Sequence, residues 1–155
     1  MPQLFVRRTR IAAPAREVFR WHALPDTLER LTPPWEKAEV VERTGGIDQI
    51  GSRVVLRTRV GPFRCTWMAE HTHYEEGRMF RDVQVVGPFA KWEHTHLVEP
   101  DGPDACILED CVEYELRFGV VGKWLGSWFV RRKLKRLFDY RHRVTAEATE
   151  RLCQS

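Results

Sequence analysis

The sequence predicts one α+β domain: a curved antiparallel sheet of seven strands wrapped on a long C-terminal helix, with two short helices after the first strand. Three observations lead there. Residues 80–114 (FRDVQVVGPFAKWEHTHLVEPDGPDACILEDCVEY) hold three alternating runs, separated by Gly87-Pro88 and by Pro100-Asp101-Gly102-Pro103. Alternation places every second side chain on one face of a strand, and the Gly/Pro clusters are turn chemistry, so the runs form an antiparallel meander. Prolines at 14, 25, 33 and 34 bracket two short helical stretches directly after an initial strand. After residue 118 the period changes from two to three and four, the spacing of an amphipathic helix.

In chain order, residues 4–12 (LFVRRTRIA) read as the first strand. Pro14 then opens AREVFRWHAL as a helix whose buried side holds Val18, Phe19 and Trp21-His22. TLERLTPPW is a second short helix, stopped by Pro33-Pro34. Strand patterns recur at 38–44, 51–60 and 63–74, ended in turn by Gly45-Gly46, Gly61-Pro62 and Glu75-Glu76-Gly77. The three strands of the meander follow. The long helix is expected from about Val130 to Arg151, with Leu134, Leu137, Phe138, Val144, Ala148 and Leu152 as its apolar stripe. Residues 120–129 are assigned less readily, because Gly122 and Gly126 interrupt them.

At 155 residues the natural count is one domain, 1–155, and 43% hydrophobic residues suffice for one core. No run approaches the roughly 18 apolar residues of a membrane span. The N-terminus, MPQLFVRRTRIAAP, lacks the apolar core of a secretory signal. Cys65, Cys106, Cys111 and Cys153 sit singly. Cys106 and Cys111 have opposite parity on one strand, so reduced thiols in a cytoplasmic protein are expected. The net charge is +3. Arg131, Arg132, Lys133, Lys135, Arg136, Arg141 and Arg143 read as the solvated side of the last helix. The chain shows neither a nucleotide-binding glycine loop nor an interleaved basic–aromatic surface, so nucleic acid is not an expected partner.

Parity divides the meander into two faces. One carries Phe80, Asp82 and Gln84, then Trp92, His94 and His96, then Asp110, Val112 and Tyr114. The other is mostly long charged side chains, which suits solvent. A face mixing aromatic rings with short polar groups differs from a Val/Ile/Leu core face and matches the lining of a pocket.

The element order, together with FRDVQVVGPFAKWEHTH, EDCVEY and GKWLGSWFVRRKLKRLFDYR, resembles the START-like superfamily of polyketide cyclases, dehydratases and lipid-transfer proteins. It is most similar to the small bacterial SRPBCC ligand-binding proteins. The resemblance covers essentially the whole chain and implies the helix-grip fold. It also implies a deep cavity between sheet and helix, suited to a hydrophobic small molecule such as a lipid, isoprenoid or polyketide.

On that basis Asp82, Gln84, His94, His96, Asp110 and Tyr114 are candidates to orient the polar end of a ligand. Trp67, Phe80 and Trp92 are candidates for its apolar body. Burying such polar groups demands partners, so a self-satisfied network is the competing reading. A His–Asp pair acting as general acid/base, as in a cyclase or dehydratase, is the enzymatic alternative. His71 and His73 share a predicted face and, with His94 and His96, raise a metal site; the spacing is weak and no metal or other cofactor is assigned. Trp124 and Trp128, at i and i+4, are candidates for a lid beside Gly119, Gly122 and Gly126, or for transient docking on a membrane surface.

Overall fold

Alternation of burial along each strand carries the architecture. β7 (Cys106–Leu116) switches strictly between buried and half-buried positions, and β1 (Gln3–Ile11) buries Phe5 and Ile11 on one face while exposing Leu4, Val6, Arg8 and Arg10. The computed structural model describes residues 1–60, 62–117 and 120–154, with the backbone alone for 120–125. Between these strands lie α1 (Ala15–His22), α2 (Thr27–Arg30), β2 (Glu39–Arg43), β3 (Arg53–Val60), β4 (Phe63–Glu75), β5 (Met79–Val86) and β6 (Phe89–Pro100); α3 (Val120–Cys153) closes the chain. The seven strands form one antiparallel sheet in the order β1-β7-β6-β5-β4-β3-β2. The first and last strands are therefore neighbours, and α1 and α2 carry the chain from β1 to the far edge.

The turns follow their residues. Gly77 sits at φ 74° between β4 and β5, where the Arg78 amide donates to Glu75 O at 3.1 Å. A side chain with Cβ is strained in that left-handed region. β4 also carries a bulge at Thr72, because His71 pairs with Asp82 while His73 pairs with Arg81. The inserted residue reverses parity. His71 is thereby buried on the concave face and His73 is exposed on the other, which corrects the expectation that they share one.

Two apolar clusters glue the helices to the sheet. Ile11, Val18, Phe19, Val98 and Leu108 pack beneath α1; Phe5, Val112, Tyr114, Leu134 and Phe138 pack beneath α3. The Phe5 and Phe138 rings meet at a tilt of 34°, 5.6 Å between centroids. Fully burying each large side chain contributes roughly 1.5–3 kcal/mol.

α3 differs from expectation in two respects. It begins at Val120, so Gly122 and Gly126 lie inside it. A Cβ at Gly126 would stand 3.4 Å from Leu116 Cδ1, an ordinary contact distance, so this part of α3 lies against the end of β7. Its buried stripe is Leu134, Phe138, His142, Thr145 and Thr149, whereas Val144 and Ala148 are half-buried and Leu152 is exposed. The two threonines bury cheaply, because Thr145 Oγ1 donates to Arg141 O at 2.9 Å and Thr149 Oγ1 to Thr145 O at 2.8 Å. Among the described residues no helix is long and apolar enough to cross a membrane.

Candidate functional site

A cavity of about 480 Å³ lies between the concave face of the sheet, α3 and the α1–α2 corner. One end of its wall is aromatic. Trp67 and Trp92 meet edge to face at 4.9 Å, and Phe89 packs against both at 5.6 and 4.9 Å. The other end is polar and centres on Asp110, which is 3% exposed.

Three imidazoles converge on the Asp110 carboxylate. His94 Nε2 lies 2.6 Å from Oδ1, His96 Nδ1 lies 2.8 Å from the same oxygen, and His142 Nε2 lies 2.7 Å from Oδ2. Register explains the first two: His96 is paired directly with Asp110 across β6 and β7, and His94 is two residues along on the same face. His142 arrives from the middle of α3, with its Nδ1 2.8 Å from Thr9 Oγ1 on β1. A carboxylate only accepts, so each of these three ring nitrogens carries its proton. Burial disfavours the Asp110 anion, but the surrounding histidines outweigh that and hold its carboxyl well below the usual range.

The histidines are then driven apart. Burial opposes a charge on His94, yet its hydrogen bonds to Asp110 and Asp82 prevail and its pKa is pushed up to about 9. Asp82 Oδ2 lies 3.2 Å from His94 Nδ1, so both ring nitrogens donate and His94 is an imidazolium. Burial pulls the pKa of His96 down, with His94 and His142 adding to the effect against the pull of Asp110. Neutral His96 spends its one N–H on Asp110, so Nε2 bears a lone pair; that atom is buried without a partner among the described residues. His22, whose ring centroid is 4.1 Å away, is held neutral by burial and by His96, and its Nδ1 lies 2.8 Å from Val18 O. His71 Nδ1 is a second buried nitrogen without a partner among the described residues, on a ring whose pKa burial also lowers.

The sequence candidates thus separate. Trp67, Phe80, Asp82, Trp92, His94, His96 and Asp110 line the cavity, and Phe80 stacks on His96 at 4.7 Å. Gln84 is outside that wall: its amide nitrogen donates to Phe89 O at 3.0 Å and its oxygen accepts from the Phe89 amide at 3.3 Å, fastening the β5–β6 turn. Tyr114 is fully buried in the cluster under α3, with its hydroxyl donating to Gln3 Oε1 at 3.0 Å. Trp128 is 64% exposed, with the Arg132 guanidinium 5.6 Å from its ring centroid. The expectation for Trp124 falls on a side chain outside the described residues. His22 and His142 were not among the candidates. His142 was detectable as a polar residue four positions from Phe138 on a buried stripe; His22 was placed on the buried side of its helix but not assigned to the site.

His94, His96 and Asp110 are also close enough to offer three ligand atoms to a metal ion. The ring nitrogens involved already donate to Asp110 at 2.6–2.8 Å. Through these nitrogens a metal would have to displace protons that hold the cluster together, whereas His96 Nε2 keeps its lone pair.

A family model described as polyketide cyclase / dehydrase and lipid transport matches residues 11–139. The chain belongs to this family. The Zhui aromatase/cyclase from Streptomyces sp. R1128 superposes with a TM-score of 0.77 at 17% identity, covering 97% of this chain and 95% of that one. A START superfamily protein from Mycobacterium smegmatis gives 0.71 at 17% identity, with 96% and 98% covered. A norcoclaurine synthase point mutant from Thalictrum flavum, in complex with a transition-state analogue, gives 0.71 at 16% identity, with 96% of both chains covered. At such identities the likeness carries the START-like fold and leaves ligand and chemistry to each chain's own residues. No curated protein matches the sequence.

Proposed function

We propose that this family member binds, and carries, a hydrophobic small molecule of the lipid, isoprenoid or polyketide kind, with its polar end against the histidine cluster. One observation carries this reading: two buried nitrogens, His96 Nε2 and His71 Nδ1, lack partners among the described residues, beside a cavity whose far end is aromatic. Each unpaired buried polar atom costs on the order of 1–3 kcal/mol, which a ligand hydroxyl or amide donating to it would recover. The aromatic end supplies the apolar contact area such sites use. Trp128 and Phe129, both exposed and each beside a cationic side chain, support loading from a membrane surface. The four free cysteines support a reducing, cytoplasmic setting.

Nile red fluorescence tests the binding. Ala69 lines the cavity on β4, so Ala69→Trp places a bulky side chain inside it while leaving the Asp110 cluster unsubstituted. The expected result is saturable binding by the native protein, weakened at least about tenfold in the variant. Equal binding by both would place the probe elsewhere and defeat the proposal.

A second reading is acid/base catalysis. The observation favouring it is the contrast between His94, pushed up to about 9, and neutral His96, whose ring lies 6.3 Å away. Adjacent groups with pKa values driven apart are how one site supplies both an acid and a base. In a cyclisation or dehydration His96 Nε2 would accept the proton. His96→Gln would then abolish turnover of a bound polyketide while leaving its affinity within a few-fold; loss of affinity alone would leave His96 an orienting group.

A further inference from the structure

The basic residues of α3 are exposed at Arg131, Arg132, Lys133, Lys135, Arg136 and Arg143. Arg141 is instead partly buried and lines the cavity, which Lys133 also borders while pairing with Glu36 at 3.8 Å. Its Nε donates to Leu31 O at 3.2 Å, and its guanidinium carbon lies 5.3 Å from the Phe138 ring centroid. These contacts fix the plane of the group without neutralising its charge.

The nearby carboxylates are committed elsewhere. Asp110 is held by His94, His96 and His142, Asp82 by His94 at 3.2 Å, and Glu36 by Lys133 at 3.8 Å. Among the described residues none of them forms an ion pair with Arg141. Arg43, also on the cavity wall, is by contrast paired with Glu29 at 3.1 Å. Burial acts to lower the pKa of Arg141, with Asp110, Asp82 and Glu36 opposing from a distance. A guanidinium in an apolar cavity is costly until a counter-charge meets it. With Nε occupied, the two terminal nitrogens are left for an end-on, bidentate contact with a planar anion.

We infer that Arg141 anchors a carboxylate at the polar end of the ligand, so that the cavity selects an amphipathic monoacid over its neutral counterpart. This rests on the ligand-binding reading above and names its chemical class. A monoanion also suits a chamber that already contains Asp82 and Asp110, which would repel a more highly charged phosphate.

Matched acid and ester probes decide the matter. Binding of 1-pyrenebutyric acid and cis-parinaric acid, each against its methyl ester, is measured by fluorescence, with Nile red as a neutral reference. In the native protein at least one acid should bind about tenfold or more tighter than its ester. Arg141→Met, which keeps length and apolar contact with Phe138, should erase that preference by weakening the acid alone, and Arg141→Lys should keep part of it. If esters and Nile red bind but neither acid is preferred, the carboxylate anchor is wrong while the cavity reading stands. If Arg141→Met weakens acid and ester equally, Arg141 is a packing residue and the inference fails. If no probe binds, both fall. Should Arg141→Met not fold, the acid-to-ester ratio of the native protein still decides.

Discussion

Asp110 on β7 and His142 on α3 are joined by a 2.7 Å hydrogen bond in the buried interior. This contact ties the long helix to the middle of the sheet at the point where the cavity ends. It makes the polar cluster a structural joint as well as a wall of the site, because the same carboxylate also holds His94 and His96.

Asp110→Asn should therefore be strongly destabilising. The amide keeps one acceptor oxygen for three donors and removes the charge that sustains the His94 imidazolium. Breaking a buried charged network of this kind costs about 3–5 kcal/mol. Urea unfolding should show a lowered midpoint at unchanged slope. Combining Asp110→Asn with His142→Gln should cost less than the sum of the two, since both remove the same contact. Full additivity would mean that the joint is not a unit.

Stability should peak near pH 6.5, and the sign follows from each group. His94 has a folded pKa of about 9 against an unfolded value of 6.5, so its contribution is complete below 6.5 and is lost as pH rises through about 9. His22, His71 and His96 are shifted downward by burial, so the unfolded chain binds protons they refuse, and stability also declines as pH falls below 6.5. Asp110, held far below 3.8, adds a further loss at more acid pH. Denaturation midpoints between pH 4 and 10 test this profile, and side-chain NMR of His94 should report titration near 9. A His94 that titrates near 6.5 would contradict the assigned imidazolium.

Tyr114 was a ligand candidate on parity alone, and its hydroxyl is instead bonded to Gln3 at 3.0 Å, away from the cavity wall. Tyr114→Phe should cost about 0.5–1.5 kcal/mol of stability, the net worth of one hydrogen bond. Nile red affinity should remain within about twofold. A larger loss of affinity would place the hydroxyl in the site after all.

The sheet was legible because Phe80, Asp82, His94, His96 and Asp110 share a parity that strand pairing preserves. What lay beyond alternation was harder to read. The bulge at Thr72, which separates His71 from His73, has no residue signature, since it depends on where the partner strand pairs. The helical contribution was hidden for a different reason. His142, Thr145 and Thr149 continue a buried stripe with polar side chains, so a search for apolar spacing instead found Val144, Ala148 and Leu152. Arg141 was grouped with its exposed basic neighbours because charge alone does not tell which side of a helix faces a cavity. The early start of α3 was masked by Gly122 and Gly126, each of which costs a helix about 1 kcal/mol.

The central claim is that the cavity between sheet and α3 holds a hydrophobic small molecule. Native mass spectrometry of the protein as purified, against its denatured mass and in parallel with Ala69→Trp, tests it most directly. The account predicts a non-covalent adduct of a few hundred daltons, roughly the size a cavity of about 480 Å³ holds, that disappears on denaturation and is absent from the variant. An adduct retained by Ala69→Trp, or one whose mass matches a metal ion displacing the protons around Asp110, would contradict it.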